Sequence, residues 1–337
     1  MSLNINNEYR RYMTQIEGSS LFDLSLCSTK SHDEHQDEDT LIEFGPADIS
    51  ENTVREQMPD ILDLLLIDRT TSTSRRKKNI IWATENYIQH GEKRYAATCQ
   101  IKPELITGDK GQIIMPRALK SQEVQKERTK SKAEVFTPTW IVKKQNDAID
   151  SNYLDDDLET YIKRKWLEIT CGEAPYMASR YDMDTGELIS LEDRVGFVDR
   201  KLKRINTEVH DKAEWQLLVK EAYQSSYGFE WSGDSLLLAR ENLLYTYRDY
   251  YLAKWREDPI YSLFKQIAEI ISYNLFQMDG LQYIIPLSSK KEKVVKDQLA
   301  LFDDDNGEDE WIIKPGKRVK IMNWDTKKME FFDKGIK

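Results

Sequence analysis

The chain has 337 residues, 39% hydrophobic and 32% charged, a soluble globular composition with length for one large domain or two ordinary ones. It contains no run of roughly 18 apolar residues, which argues against a membrane-spanning helix. The start MSLNINNEYRR lacks an apolar leader, which points to a cytoplasmic protein. The net charge of −10 argues against a free-standing DNA binder, which normally carries a basic excess.

The cysteines Cys27, Cys99 and Cys171 are odd in number and far apart, with no CxxC pair. That spacing suggests neither a disulfide framework nor a zinc site. His32 and His35 sit in the acidic run SHDEHQDED, read as a solvated loop. No metal site is expected.

Along the chain, 51–67 reads as a helix interrupted or restarted at Pro59, with its leucines and isoleucines on one face. RTTSTSRRKK is a turn-rich break, and NIIWAT a short strand-like run. Two basic clusters, Arg75 to Lys78 and Lys126 to Lys132, could touch phosphate, although a solvated loop is the plainer reading. Residues 101–133 read as an extended connector. TWIVKKQNDAI reads as a helix, with Thr137 as N-cap and Pro138 as first residue.

From residue 166 strands and helices alternate, the pattern of a parallel sheet covered by helices. WLEITC is a buried strand and PYMASRYD starts a helix. GELISLEDRVGFVDRKLKRI reads as a hairpin or irregular insertion. KAEWQLLVKEAYQSS is a helix, YGFEW a strand, and DSLLLARENLLYTYRDYYLAKW a long helix. PIYSLFKQIAEIIS is a further helix, and YNLFQMD a strand. After the acidic stretch Asp303 to Glu310, EWIIKPGKRVKIMNWDTKKMEFF reads as a small antiparallel β unit turning at Pro315-Gly316 and Asp325-Thr326.

Four pieces carry the candidate chemistry. Phe136-Thr137-Pro138 comes first. In LEITCGEAPYM a strand ending in Glu168 meets a tight Cys171-Gly172 turn. Ligands of doubly wound sheets sit at the carboxyl ends of strands, and a small-residue turn lets backbone approach them closely. In YGFEWSGDSLLLARENLL the strand ends at Glu230, where an acid commonly accepts hydrogen bonds from ribose hydroxyls. In NLFQMDGL a third acid, Asp279, follows a strand. Three carboxylates at three strand ends would line one rim. Each alone is as readily a loop acid or a helix cap.

Together and in this order, the four pieces resemble the amino-methyltransferases of DNA, most closely the adenine-specific enzymes and methyltransferase subunits of restriction–modification systems. The resemblance covers residues 130–285 and extends more weakly over 50–100 and 310–332. It implies an α/β fold: a methyltransferase-type doubly wound sheet over 134–300, an N-terminal α/β extension and connector over 1–133, and an acidic linker with a C-terminal β unit over 301–337. It implies S-adenosylmethionine as cofactor. Phe136, Thr137 and Pro138 would cover its methionine end, and Glu168, Cys171 and Gly172 would form the loop beneath it. Glu230 would bind the ribose, and Asp279 would face the adenine amino group. Trp231 would pack either on the adenine ring or in the core.

Two departures stand out. Ala174 replaces the usual second loop glycine. The Asp/Asn/Ser-Pro-Pro-aromatic motif that holds the target amino group and stacks on the flipped base is missing, since no two of the nine prolines are adjacent. No catalytic residue is therefore assigned in this chain. Two functions remain in view. One is a cofactor-binding methyltransferase subunit that needs a second restriction–modification subunit and meets DNA through the complex. The other is a non-catalytic cofactor-sensing or scaffolding subunit. A truncated, inactive remnant of a fused restriction–methylation enzyme is the third reading, and a metal-dependent nuclease built on Asp199-Arg200-Lys201 the last.

Overall fold

A computed structural model describes residues 52–120, 137–293 and 311–334, all within the compact unit Glu38–Lys337. Its centre is a three-stranded parallel sheet, β1 (Trp166–Glu168), β2 (Ser226–Glu230) and β3 (Leu275–Gln277), in spatial order β1-β2-β3. Leu167 lies opposite Tyr227, and Phe229 opposite Phe276. The alternation read in the sequence thus yields a parallel α/β arrangement, with the three expected strands as neighbours.

Parallel strands require crossover connections. β1 reaches β2 through α6 (Phe197–Glu208) and α7 (Lys212–Gln224), and β2 reaches β3 through α8 (Gly233–Trp255) and α9 (Tyr261–Asn274). Helix α8 is buried nearly all round although many of its residues are polar, because those side chains are paired with other parts of the fold, Asp234 with Tyr87, Glu241 with Arg55 and Asn242 with the Glu173 carbonyl. Its Arg240 is buried and donates to the carbonyls of Leu65, Ile67 and Leu275. That side chain joins the C-terminal end of α2 (Pro59–Leu66), which follows α1 (Asn52–Gln57), to the start of β3. Buried Arg55 makes a two-bond ion pair with Glu241 of α8, both bonds 2.7 Å long. The sequence between α2 and β1 also holds α3 (Glu92–Tyr95), α4 (Thr139–Asp150) and α5 (Leu158–Lys163).

The two faces of the sheet are covered differently. Leu275 packs into the main core with the helices. Phe229 and Phe276 face the C-terminal strands, where they cluster with Val319 and Ile321. These belong to an antiparallel hairpin, β6 (Lys320–Asn323) and β7 (Lys328–Phe331), joined at the expected Asp325-Thr326 turn. The Tyr227 hydroxyl donates to the Met322 carbonyl at 3.2 Å. The hairpin turn meets the chain just before β1, where Lys165 Nζ pairs with Asp325 at 3.2 Å. Leu167 is 43% exposed and Ile169 68% exposed, so WLEITC is a short edge strand with one open face rather than a buried one.

Other expectations are corrected as well. PYMASRYD forms turns, not a helix, because its backbone groups are taken elsewhere. Glu168 accepts from the amides of Tyr176 and Met177, and the amides of Phe197 and Val198 occupy the carbonyls of the same two residues. A Cβ on Gly196 would lie 2.3 Å from the Met177 carbonyl oxygen, so the start of α6 can approach only as glycine. Of the hairpin or irregular insertion read over 186–205, the irregular form holds to Gly196, and the helix Phe197–Glu208 replaces the rest. NIIWAT makes isolated bridges, Ile67 with Asn79 and Ile81 with Gln100, instead of a strand. Helix α4 begins at Thr139 with Pro138 at its cap, and Thr137 makes no capping hydrogen bond. β5 (Trp311–Lys314) pairs back with β4 (Lys290–Lys293) rather than forward across Pro315-Gly316. Among the described residues no helix is long and apolar enough to cross a membrane.

Candidate functional site

The carboxyl ends of β1 and β2 meet at the loop 169–174. Backbone pairing continues past β1, the Cys171 amide donating to the Phe229 carbonyl at 2.8 Å. The chain then turns sharply. Thr170, Gly172 and Ala174 have φ of 50°, 54° and 63°, the left-handed region in which only glycine is unstrained. The Ala174 amide closes the turn on the Cys171 carbonyl at 2.7 Å.

Glu230 binds this loop from the neighbouring strand. Its Oε2 accepts the Gly172 amide at 2.8 Å, and its Oε1 accepts the Ser232 amide at 3.1 Å. Burial raises its carboxyl above the usual range, partly offset by those amides. A carboxylate carries about four lone-pair positions, and with the Trp231 amide also acting on it three are engaged, which leaves one for a ligand hydroxyl.

Glu168 holds the loop from within. It is buried, and both oxygens are aimed at backbone, 3.2 Å from the Tyr176 nitrogen and 3.0 Å from that of Met177. Burial pushes its carboxyl up to about 8, with Glu230 adding to the rise and the two amides opposing it. It positions the return arm of the loop. Cys171 is buried beneath β2, and its thiol is raised above the ordinary value by burial. A Cβ on Gly228 would meet the Met177 sulfur at 3.2 Å and the Cys171 sulfur at 3.5 Å, so β2 lies close over the loop.

The sequence reading missed Glu173. It is fully buried, accepting the Arg117 amide and the Tyr181 hydroxyl, each at 2.8 Å. The Asn242 side chain of α8 donates to its carbonyl at 3.1 Å. This acid fastens the loop to the 114–120 segment and to α8.

The reading also missed the N-terminal wall of the site. Gln277, the last residue of β3, donates to the carbonyls of Ile81 and Trp231 and accepts the Ile81 amide. The Gly233 amide donates to the Trp82 carbonyl, and a Cβ there would lie 2.1 Å from the Ile81 oxygen. Tyr87 donates to Asp234 at 2.6 Å. The Trp231 indole donates to the Ala83 carbonyl at 2.8 Å and stays 36% exposed. It stands at the rim and not in the core. Only the apolar run of NIIWAT hinted at this wall, because its partners lie far away in sequence.

Of the remaining expected residues, Asp279 follows β3 one step beyond Met278, whose amide donates to the Glu230 carbonyl. Its Oδ1 accepts the amides of Leu281 and Gln282, so it builds the turn after β3. Thr137 and Pro138 precede α4, which reaches the loop through Asn146, whose side chain donates to the Tyr176 carbonyl at 3.1 Å. Phe136 lies outside the described residues. Glu168, Cys171, Gly172 and Glu230 are therefore one cluster, with Asp279 on the adjacent strand and Thr137-Pro138 behind the return arm. Asp199 and Lys201 lie on α6, each buried and bound to its own neighbours, so the Asp-Arg-Lys triplet is part of the core and not on a hairpin. Comparison with protein-family models, curated proteins and solved structures gives no match.

Proposed function

We propose that this chain is the S-adenosylmethionine-binding subunit of an adenine-N6 DNA methyltransferase from a restriction–modification system, and that a partner subunit supplies the Pro-Pro-aromatic motif. One observation carries the reading. Glu230, an acid at the end of the second parallel strand, hydrogen-bonds the amide of Gly172 in the loop after the first. Doubly wound sheets bind nucleotides at such strand ends. The residues present suit the ribose end of the cofactor, where Glu230 keeps acceptor capacity beside an exposed edge of Trp231. When bound, the cofactor supplies the methyl group. The chain's own residues hold and orient it: Glu230 accepts from a ribose hydroxyl, the left-handed loop brings backbone close, and Glu168 and Glu173 keep the loop in shape. The partner is invoked to supply the Pro-Pro-aromatic motif, and the exposed Leu167 of β1, with Ile169 just beyond the strand, offers it an apolar surface.

The test is transfer of labelled methyl groups to DNA with this chain alone, the partner alone, and both together. The proposal expects activity only from the mixture, abolished by Glu230→Ala in this chain. Activity from the partner alone, unchanged on mixing, overturns it. That result would favour the scaffolding subunit, a role suited to a site whose acids already satisfy one another's backbone.

A further inference from the structure

The chain is acidic overall, yet two of its segments are not. Residues 69–78 hold five basic side chains and no acidic one, and residues 317–334 hold six basic and three acidic. Eleven positive and three negative charges lie in the two segments, and with Asp68, Asp63 and Glu269 facing the first loop a local excess of five remains in a chain whose net charge is −10. Though about 250 positions apart, the segments are joined. The Thr70 hydroxyl donates to the Lys320 carbonyl at 3.2 Å and accepts the Lys320 amide at 3.1 Å.

The first segment is a closed loop, not a loose tether. The Asp68 amide donates to the Lys78 carbonyl at 2.8 Å, and Thr73 and Arg76 pair across its tip. Arg69 is fixed over the Tyr273 ring at 4.0 Å and donates to the Ser272 hydroxyl. Arg75, Arg76 and Lys77 are exposed. Among the described residues none of the three lies in an ion pair, and Lys77 only faces Asp63 at longer range. On the hairpin, Lys320 and Arg318 lie over Phe331, at 5.2 Å and 4.0 Å. Asp333 engages Arg318, and Lys327 and Lys328 at the turn are exposed.

We infer that the loop 69–78 and the β6–β7 hairpin form one basic surface that holds the phosphate backbone of duplex DNA. Unpaired exposed cations on a pinned loop attract a polyanion. The surface has no apolar centre of the kind a protein partner needs. Its aromatic rings are already used: Phe331 lies under cations, and Tyr273 lies under Arg69 and edge-on to Trp324. Bases would find no stacking platform, so the surface grips phosphate independently of sequence. The choice of DNA among polyanions rests on the function proposed above.

The test is fluorescence anisotropy of the whole chain with a labelled random duplex over a salt series. The fourfold variant R75Q/R76Q/K77Q/K78Q is compared with K143Q/K144Q/K163Q/K212Q, which removes equal charge from exposed positions elsewhere. Binding should weaken by an order of magnitude or more only in the first. The slope of log affinity against log salt should fall by about 0.9 for each phosphate that the variant no longer neutralises. Equal weakening in both variants, no binding by the wild type at low salt, or tighter binding of single-stranded RNA than of duplex overturns the inference. Melting curves that match wild type show that both variants are folded. Calorimetry with S-adenosylmethionine separates the two claims. Cofactor binding without DNA binding defeats this surface alone, and DNA binding without cofactor binding defeats the proposed function alone.

Discussion

The amide of Gly172 donates to Oε2 of Glu230 across 2.8 Å, so the loop after β1 and the acid ending β2 are one unit before any ligand arrives. Glu230→Ala removes the loop's anchor together with the acceptor proposed for ribose. A hydrogen bond to a charged group contributes about 1.5–3 kcal/mol, so affinity for S-adenosylmethionine should fall roughly tenfold or more. Calorimetry reads it, and an unchanged dissociation constant would remove Glu230 from the site.

Thr170 is an exposed β-branched residue at φ 50°. The left-handed conformation costs such a residue roughly 1–2 kcal/mol. Thr170→Gly relieves that strain, while the freer unfolded chain returns about 0.4–1 kcal/mol. With no buried packing at stake, the variant should gain up to about 1 kcal/mol in urea unfolding. A loss of stability would show that the threonine side chain holds the loop.

Glu168 titrates between an ordinary carboxyl value when unfolded and about 8 when folded. The folded chain therefore binds the proton more tightly. Its contribution is fully present at acid pH, declines as pH rises through that window and is gone above the folded value. Glu168→Gln cannot titrate. The stability difference between wild type and variant should move against the wild type from pH 5 to 8, measured by urea midpoints. A difference that stays constant across that range would refute the raised carboxyl.

Arg55 and Glu241 form a buried ion pair. Breaking one partner leaves an uncompensated buried charge, which costs about 3–5 kcal/mol. Glu241→Leu or Arg55→Met alone should each destabilise strongly, and the double substitution Arg55→Met with Glu241→Leu should cost less than the sum. Additive effects in a double-mutant cycle would mean that the pair is not coupled.

The strands of the sheet were legible because each is a short apolar run closed by an acid or a turn. Helices α7, α8 and α9 were legible because their length and periodicity leave no competing structure. What failed in the reading was long-range. Nothing near PYMASRYD tells that Glu168 captures its amides, or that α6 covers its carbonyls. Nothing near NIIWAT tells that Gln277 holds it at the end of β3. Glu168 looked like a ligand acid because its place at a strand end is the place of one, while its burial and its two backbone partners became visible only in three dimensions. The pairing of β5 with β4 likewise spans an intervening segment, which hid it behind the nearer Pro315-Gly316 turn.

The bond between Arg55 and Glu241 spans 186 residues of chain. During synthesis at about 5–20 residues per second, roughly 10–40 s separate the appearance of the guanidinium from that of its carboxylate. Throughout that interval α1 lacks its ion pair, and α2 lacks the α8 and α9 surfaces on which it packs. The N-terminal helices are therefore obliged to wait in a half-made state and to be recruited late, when α8 leaves the ribosome. Chaperone contact on the nascent chain should be concentrated in that window.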